Sequence, residues 1–113
     1  MPTPCVEQVR IQWIDEAGCE KKGKIYSLSK DEQEMLQSWI RDFVRTAHVD
    51  YVSYAPVLVI RGERFFINIL QNSIVLNIEK KDGGDWMQIS RKRKGNDEEI
   101  VDLAMKIITK GDS

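Results

Sequence analysis

The residues of this chain that could do chemistry are few and far apart in the sequence. Its single histidine is His48, and its two cysteines are Cys5 and Cys19. Histidine titrates near neutrality without any perturbation, and a cysteine becomes a nucleophile when a base lies beside it, so His48 and Cys19 are the candidates for catalysis. Nothing in the sequence places these two residues together. Catalysis through Cys19 or His48 is therefore kept as a third hypothesis, and the sequence favours a protein that is not an enzyme.

Metal and cofactor sites require residue patterns that the sequence lacks. It contains no C-x-x-C, H-x-x-H or calcium-loop spacing. The glycine pair 83–84 is not followed by the lysine and helix of a phosphate-binding loop. Carboxylates cluster only where the start of a helix favours them. We therefore expect no metal ion and no cofactor.

A run of four consecutive cations is the best candidate for nucleic-acid binding. The run consists of Arg91, Lys92, Arg93 and Lys94, and Lys80 and Lys81 on the neighbouring hairpin could assist it. Successive strand residues point to opposite faces, so the run does not form one basic stripe, and the carboxylates at 97–99 lie close enough to neutralise it. If all four cations contacted duplex phosphates, log K would fall with log salt at a slope of about −3.6.

Composition and charge are those of an ordinary globular domain. Of the 113 residues, 42% are hydrophobic and 31% are charged, and 17 basic residues face 18 acidic ones for a net charge of −1. A single domain spanning 1–113 is expected, with a frayed terminus at 1–5. No cationic leader and no apolar run of about 20 residues is present, which predicts a cytoplasmic protein without a membrane partner.

The first part of the sequence predicts a β-hairpin. Val9, Ile11 and Trp13 alternate with polar residues, which is the period of a half-buried strand. A turn at 15–18 would bring "KIYSL" at 24–28 back as the partner strand, with 19–23 as an extension of that strand or a loop. Ile14 would then face Cys19, and Cys5 would lie about 30 Å from Cys19, too far for a disulfide.

A long amphipathic helix follows the hairpin. Ser29 and Glu32 have the spacing of a capping box, and neither proline nor glycine interrupts the next residues. Apolar residues then form one broad stripe over about 18 residues, which favours packing across a sheet. The helix is predicted to end near His48, whose side chain would interact with the carbonyl end of the helix.

The second half of the sequence predicts four antiparallel strands and a helix. "VLVIR" and "RFFINIL" flank Gly62-Glu63, and glycine at the first loop position suits a two-residue hairpin turn of type II′. "IVLNIE" and "WMQISRK" complete a meander. In the final helix Asn96 is the predicted cap, Asp97 and Glu98 complement the helix dipole, and Gly111 ends the element.

These elements predict an α+β fold. The order ββα-ββββ-α indicates a two-layer sandwich in which an N-terminal β-hairpin, a long amphipathic helix, a four-strand meander and a C-terminal helix place both helices on one face of the sheet. The opposite face would then be solvated, or a partner would bind it. No known family is recognised in the sequence, and the topology alone does not indicate a function.

The outward face of the meander carries an unusual mixture of residues. The candidate protein-binding residues are Phe66, Asn68, Leu70, Val75 and Asn77, with Tyr54 at the margin. Asparagine is uncommon in strands, and a mixed, weakly apolar surface is typical of interaction sites. The leading hypothesis is a non-enzymatic module that binds another protein or itself, such as a regulator, inhibitor, immunity or antitoxin-like partner, or adaptor. Two alternatives stay open. Loops could partly cover these outward-facing residues, or the basic run could bind nucleic acid.

Overall fold

The computed structural model describes residues 6–15, 17–49, 58–79 and 85–111. The α+β class, the antiparallel sheet and the two helices predicted from the sequence are confirmed. None of the described helices is long and apolar enough to cross a membrane. The elements in chain order are β1 (Gln8–Ile14), β2 (Glu20–Lys22), β3 (Tyr26–Ser27), α1 (Lys30–Thr46), β4 (His48–Val49), β5 (Leu58–Arg61), β6 (Phe65–Ile69), β7 (Ser73–Glu79), β8 (Trp86–Lys92) and α2 (Glu98–Gly111).

The strands form one antiparallel sheet in the order β2-β1-β5-β6-β7-β8-β4, and β3 also pairs with β1. The predicted meander corresponds to β5, β6, β7 and β8, which are consecutive neighbours. The N-terminal strand β1 extends this meander on one side by pairing with β5. On the other side, the short strand β4 pairs with β8. His48 therefore lies in a strand, opposite Ser90, and not in the last turn of the helix as predicted, because α1 ends at Thr46.

The N-terminal hairpin forms with a register one residue away from the prediction. Ile14 is paired with Glu20 instead of Cys19. The amide of Asp15 donates to the carbonyl of Cys19 over 2.9 Å, and Gly18 adopts the left-handed conformation, with φ of 81°. Both stretches proposed as partners of β1 pair with it, as β2 and β3. Cys19 is exposed, and Cys5 lies outside the described residues.

The turn between β5 and β6 is also shifted by one residue. The amide of Gly62 donates to the carbonyl of Phe65 over 2.9 Å, so Glu63 and Arg64 are the two central turn residues. Gly62 does not adopt a positive φ, and the predicted type II′ turn is therefore wrong. Glycine is required for a different reason, because a Cβ at this position would overlap the buried ring of Phe65.

We expect Gly62→Ala to destabilise the protein by about 1–3 kcal/mol, because the ring of Phe65 would have to leave a well-packed site. Gly95→Ala is the matched control, since a Cβ there meets no atom within 4 Å. Urea unfolding of the two variants measures the difference. Equal free energies of unfolding for both variants would show that the ring does not need Gly62.

The first helix begins with the predicted capping box. The Ser29 hydroxyl accepts from the Glu32 amide at 3.2 Å, and the Glu32 carboxylate accepts from the Ser29 amide at 2.8 Å. Lys106 of α2 also donates to Glu32 at 3.0 Å. Burial alone would raise the pKa of Glu32, but the hydrogen bonds from Ser29 and Lys106 outweigh it and lower the pKa from 4.5 to about 2.

This depressed pKa of Glu32 predicts a loss of stability in acid. The folded state prefers the ionised carboxylate, so its contribution is complete above about pH 4.5 and is lost as the pH falls toward about 2. In urea unfolding across this range, the wild type should lose more free energy of unfolding than Glu32→Gln, which cannot titrate. Parallel pH profiles for the two proteins would contradict the assignment.

Both helices contribute side chains to the hydrophobic core. Their buried side chains join those of alternate strand residues in one hydrophobic cluster. The helices contribute Leu36, Trp39, Ile40, Phe43, Ile100, Leu103, Ala104 and Ile107, and the meander contributes Leu58, Ile60, Phe65, Ile67, Ile69, Ile74, Leu76, Ile78 and Ile89. The intervening strand residues point to the opposite face of the sheet, called the outer face below.

Candidate functional site

The outer face is built from side chains that the strand registers bring into rows. One row crosses the sheet from β1 to β8 and contains Arg10, Arg61, Phe66, Asn77 and Gln88. A parallel row contains Gln12, Val59, Asn68, Val75 and Ser90. Each member faces its cross-strand neighbour, so residues far apart in the sequence form one continuous surface.

A stacked aromatic pair is the most prominent feature of the outer face. The rings of Phe66 and Trp86 are 5.1 Å apart and nearly parallel, at 3°. Because β7 lies between their strands, the two rings must meet above it. The guanidinium of Arg61 lies 4.8 Å from the centre of the Phe66 ring, a cation–π distance. Trp86 nevertheless remains 40% exposed, and Phe66 is half-buried.

Two arginines oppose each other at the other end of the first row. Arg10 and Arg61 are directly paired in the register of β1 and β5. Like charges in this position repel one another, and none of the described carboxylates forms an ion pair with either guanidinium. The Nε of Arg10 is also buried without a hydrogen-bond partner among the described residues. A cavity of about 290 Å³ borders both side chains, and the carboxylates of Glu7 and Glu63 line it as well.

Four of the predicted protein-binding residues, Phe66, Asn68, Val75 and Asn77, lie on the outer face, and Leu70 directly follows β6. Phe66, Leu70 and Asn77 are half-buried. Asn68 and Val75 are only 5% and 3% exposed. The Asn68 amide donates to the Val75 carbonyl at 3.0 Å, which explains how a polar side chain is tolerated there. Asn68 and Val75 therefore lie beneath the accessible surface. Tyr54 lies outside the described residues.

Sequence reasoning missed Trp86, Arg61 and Arg10 as members of this surface. Trp86 lies on the same strand face as Gln88 and Ser90, so the alternation of residues along β8 indicates its outward position. The position of Arg10 beside Arg61 had no signal in the sequence. It depends on β1 pairing with β5, which follows it only after a helix and three short strands.

The basic run does not form a continuous charged surface. Arg91 is 6% exposed and binds the buried carboxylate of Asp97 through two hydrogen bonds of 2.8 Å. Its guanidinium also lies 4.6 Å from the centre of the Phe43 ring. Asp97 was predicted to complement the helix dipole, and it does lie directly before α2, but its carboxylate is fully buried in this cluster.

Asp97 is held as a carboxylate by three donors. Besides Arg91, the indole of Trp39 donates to it at 3.0 Å and the amide of Lys94 at 2.7 Å. Burial by itself would raise the pKa of Asp97, but these hydrogen bonds and the charge of Arg91 prevail and lower it. The cluster joins β8, the 3₁₀ turn Gly95–Asp97 before α2, and α1. Its geometry indicates a structural role.

The other cations of the run have different surroundings. The side chain of Arg93 donates to the Leu70 carbonyl at 3.2 Å and to the Glu98 carboxylate at 2.9 Å. Lys92 and Lys94 are exposed. Lys80 and Lys81, and the side chain of Asn96, lie outside what the structure describes. The exposed charge of the run within the described residues is therefore that of two lysines.

Catalytic and metal-binding groups do not converge in the described part of the chain. Cys19 lies at the β1–β2 hairpin, whereas His48 lies in β4 at the opposite side of the sheet. No group of His, Cys, Asp and Glu side chains among the described residues could hold a metal ion. In comparisons with known proteins, no protein-family model matches the chain, and no curated protein and no solved structure matches it.

Proposed function

We propose that this chain is a non-enzymatic cytosolic module that binds another protein through the outer face of its sheet. The observation that carries the proposal is the stack of the half-buried Phe66 and the exposed Trp86, with Arg61 beside the Phe66 ring. Tryptophan and arginine dominate the energetically important positions of protein interfaces, since they combine apolar area with directed polar contacts. The proposal rests on a two-layer arrangement in which the helices cover one face and leave the other to the partner.

The charge of the outer face suggests the chemistry of that partner. Arg10 and Arg61 repel each other at the end of the row, and a carboxylate between them would relieve the repulsion and form charge-assisted hydrogen bonds. We therefore expect the partner surface to place an acidic side chain over this pair and an apolar group over Trp86. Leu70 and Asn77 extend the proposed contact surface, and Asn68 and Val75 support it.

Affinity purification from the native source tests this proposal. Tagged wild-type protein should recover a stoichiometric protein partner, Trp86→Ala should recover much less, and Met105→Ala should behave as the wild type. Met105 is the matched control because it is 51% exposed but lies on α2, away from the outer face. Recovery that is unchanged in Trp86→Ala would contradict the proposal. A concentration-dependent dimer in sedimentation that Trp86→Ala abolishes would identify the partner as a second copy.

Nucleic-acid binding through the basic run remains the alternative, with fewer phosphate contacts than the sequence predicts. Two exposed lysines, Lys92 and Lys94, predict a slope of log K against log salt of about −1.8 in place of about −3.6. Titration of DNA and RNA at several salt concentrations measures this slope. The double substitution Lys92→Gln and Lys94→Gln should abolish any such binding, and an absence of binding by the wild type at low salt would exclude the alternative.

A further inference from the structure

One edge of the sheet is formed by β2 and β3, which both pair with β1. This edge, residues 20–28, is called the β2–β3 edge below. Within the described part of the chain, no strand pairs with its far side. A free strand edge presents unpaired backbone N–H and C=O groups, to which a strand of another molecule can add. The structure of this edge therefore bears on how the protein associates.

A β-bulge interrupts the β2–β3 edge. Between the pairs that β1 makes with β2 and those that it makes with β3, two residues of β1 lie opposite three residues of the edge. The two are Arg10 and Ile11, and the three are Gly23, Lys24 and Ile25. One surplus residue in one strand of an antiparallel pair makes a β-bulge, which bends the strand and disrupts its ladder. The edge therefore consists of two short pieces instead of one long strand.

The bulge also changes which residues direct their backbone groups to the free side. In an antiparallel strand, alternate residues direct their N–H and C=O to the same neighbour. The Cys19 carbonyl and the Gly23 amide, an even number of residues apart, both bond on the β1 side, each at 2.9 Å. After the bulge the Leu28 amide, an odd number of residues from Gly23, donates to the Glu7 carbonyl on that same side at 2.9 Å. A straight added strand could therefore pair with the residues before the bulge or with those after it, but not with both.

Lysines on the same edge also oppose the addition of a strand. Lys22 and Lys24 are exposed next to the bulge, and Lys21 is exposed in an ion pair with Asp15 at 3.7 Å. Charged side chains, lysine above all, protect edge strands because an added strand would have to approach and desolvate them. The residue after Lys24 is Ile25, which is 59% exposed and needs such protection.

We propose that the bulge and the lysines close the β2–β3 edge to the addition of a further strand, so that association of this protein is directed away from this edge. Removal of the surplus residue should restore one continuous ladder. The occupant of the opened edge would then be the same edge of a second copy, paired antiparallel about a two-fold axis. The inference does not depend on what binds the outer face, because it concerns backbone groups at the rim of the sheet.

Amide hydrogen exchange of the wild-type protein tests the bulge directly. The amides of Glu20, Lys22 and Ser27 are directed to the free side by the alternation described above. They should exchange at least about tenfold faster than those of Gly23 and Leu28, which are bonded on the β1 side. Equal exchange rates in the two groups would overturn the proposal, because the edge would then be paired or the alternation would not be reversed.

Deletion of Lys24 removes the surplus residue, and Lys24→Thr is the matched control because it removes the same charge and keeps the bulge. In sedimentation at several concentrations, the deletion variant should dimerise at least about tenfold more tightly than the control, since the joined edges add several backbone hydrogen bonds. Lys22→Thr in the deletion variant should tighten the dimer further, by about threefold.

Two further measurements assign that dimer to the edge. It should persist when Trp86→Ala is added, which separates it from association through the outer face, and exchange of the Glu20 and Lys22 amides should become slow. A folded deletion variant that dimerises no more tightly than Lys24→Thr would overturn the proposal. If the deletion variant does not fold, the exchange rates of the wild-type amides decide the question.

Discussion

Asp97→Ala should destabilise the protein by about 3–5 kcal/mol, the cost of leaving a buried charge without its partner. The carboxylate of Asp97 accepts hydrogen bonds from Arg91, Trp39 and the Lys94 amide. Its removal leaves the buried guanidinium of Arg91 without its counter-ion. Because a domain of this size has a total stability of about 5–15 kcal/mol, the variant should be close to unfolding at elevated temperature.

Urea unfolding of Asp97→Ala, with Asp102→Ala as the matched control, measures this effect. Asp102 is exposed on α2, so its substitution should change the free energy of unfolding by less than about 0.5 kcal/mol. Replacing the pair together, as Arg91→Met with Asp97→Leu, should restore much of the loss, since apolar residues of similar size can replace a buried ion pair. A loss in Asp97→Ala no larger than in Asp102→Ala would show that the cluster does not anchor the helices.

The second large effect concerns partner binding. Phe66→Ala and Trp86→Ala should each weaken the affinity for the partner by about 2 kcal/mol or more, roughly thirtyfold, because aromatic residues at the centre of an interface contribute the most. The two rings stack on one another, so the loss in the double variant should be smaller than the sum of the single losses. Calorimetry with the purified partner provides these values.

Two controls make the binding result specific. Met105→Ala should leave the affinity unchanged, and all variants should unfold at urea concentrations close to that of the wild type, since the side chains involved are not fully buried. Arg61→Gln should weaken binding and reduce its dependence on salt, because the guanidinium is expected to face a partner carboxylate. Equal affinities of the wild type and Trp86→Ala for the partner would show that the stack is not part of the interface.

The local features of the fold could be predicted from the sequence because their signals are local. The capping box of Ser29 and Glu32 and the alternation of β6 and β7 each depend on residues within a few positions of one another. The assignment of Phe66 and Asn77 to one face follows from the same alternation. This assignment does not depend on the turn at Gly62, because residues alternate between the two faces along a strand wherever the preceding turn lies.

The features that could not be predicted depend on pairing between distant segments. Asp97 has the sequence context of a helix start, and only the approach of Arg91 and Trp39 makes it a buried ion-pair partner. The two-residue strand β4 is too short for a periodic pattern, so His48 was assigned to the helix. The meeting of Phe66 and Trp86 above β7 requires the registers of two successive hairpins.

The indole N–H signals of the tryptophans give the most direct test of the central claim, that the outer face is the protein-binding surface. Trp86 lies on that face, whereas Trp39 is buried beneath the other face with its N–H bonded to Asp97. In a ¹H–¹⁵N titration with the purified partner, the Trp86 indole signal should shift or broaden and that of Trp39 should not. A partner that binds while leaving the Trp86 signal unchanged would contradict the account.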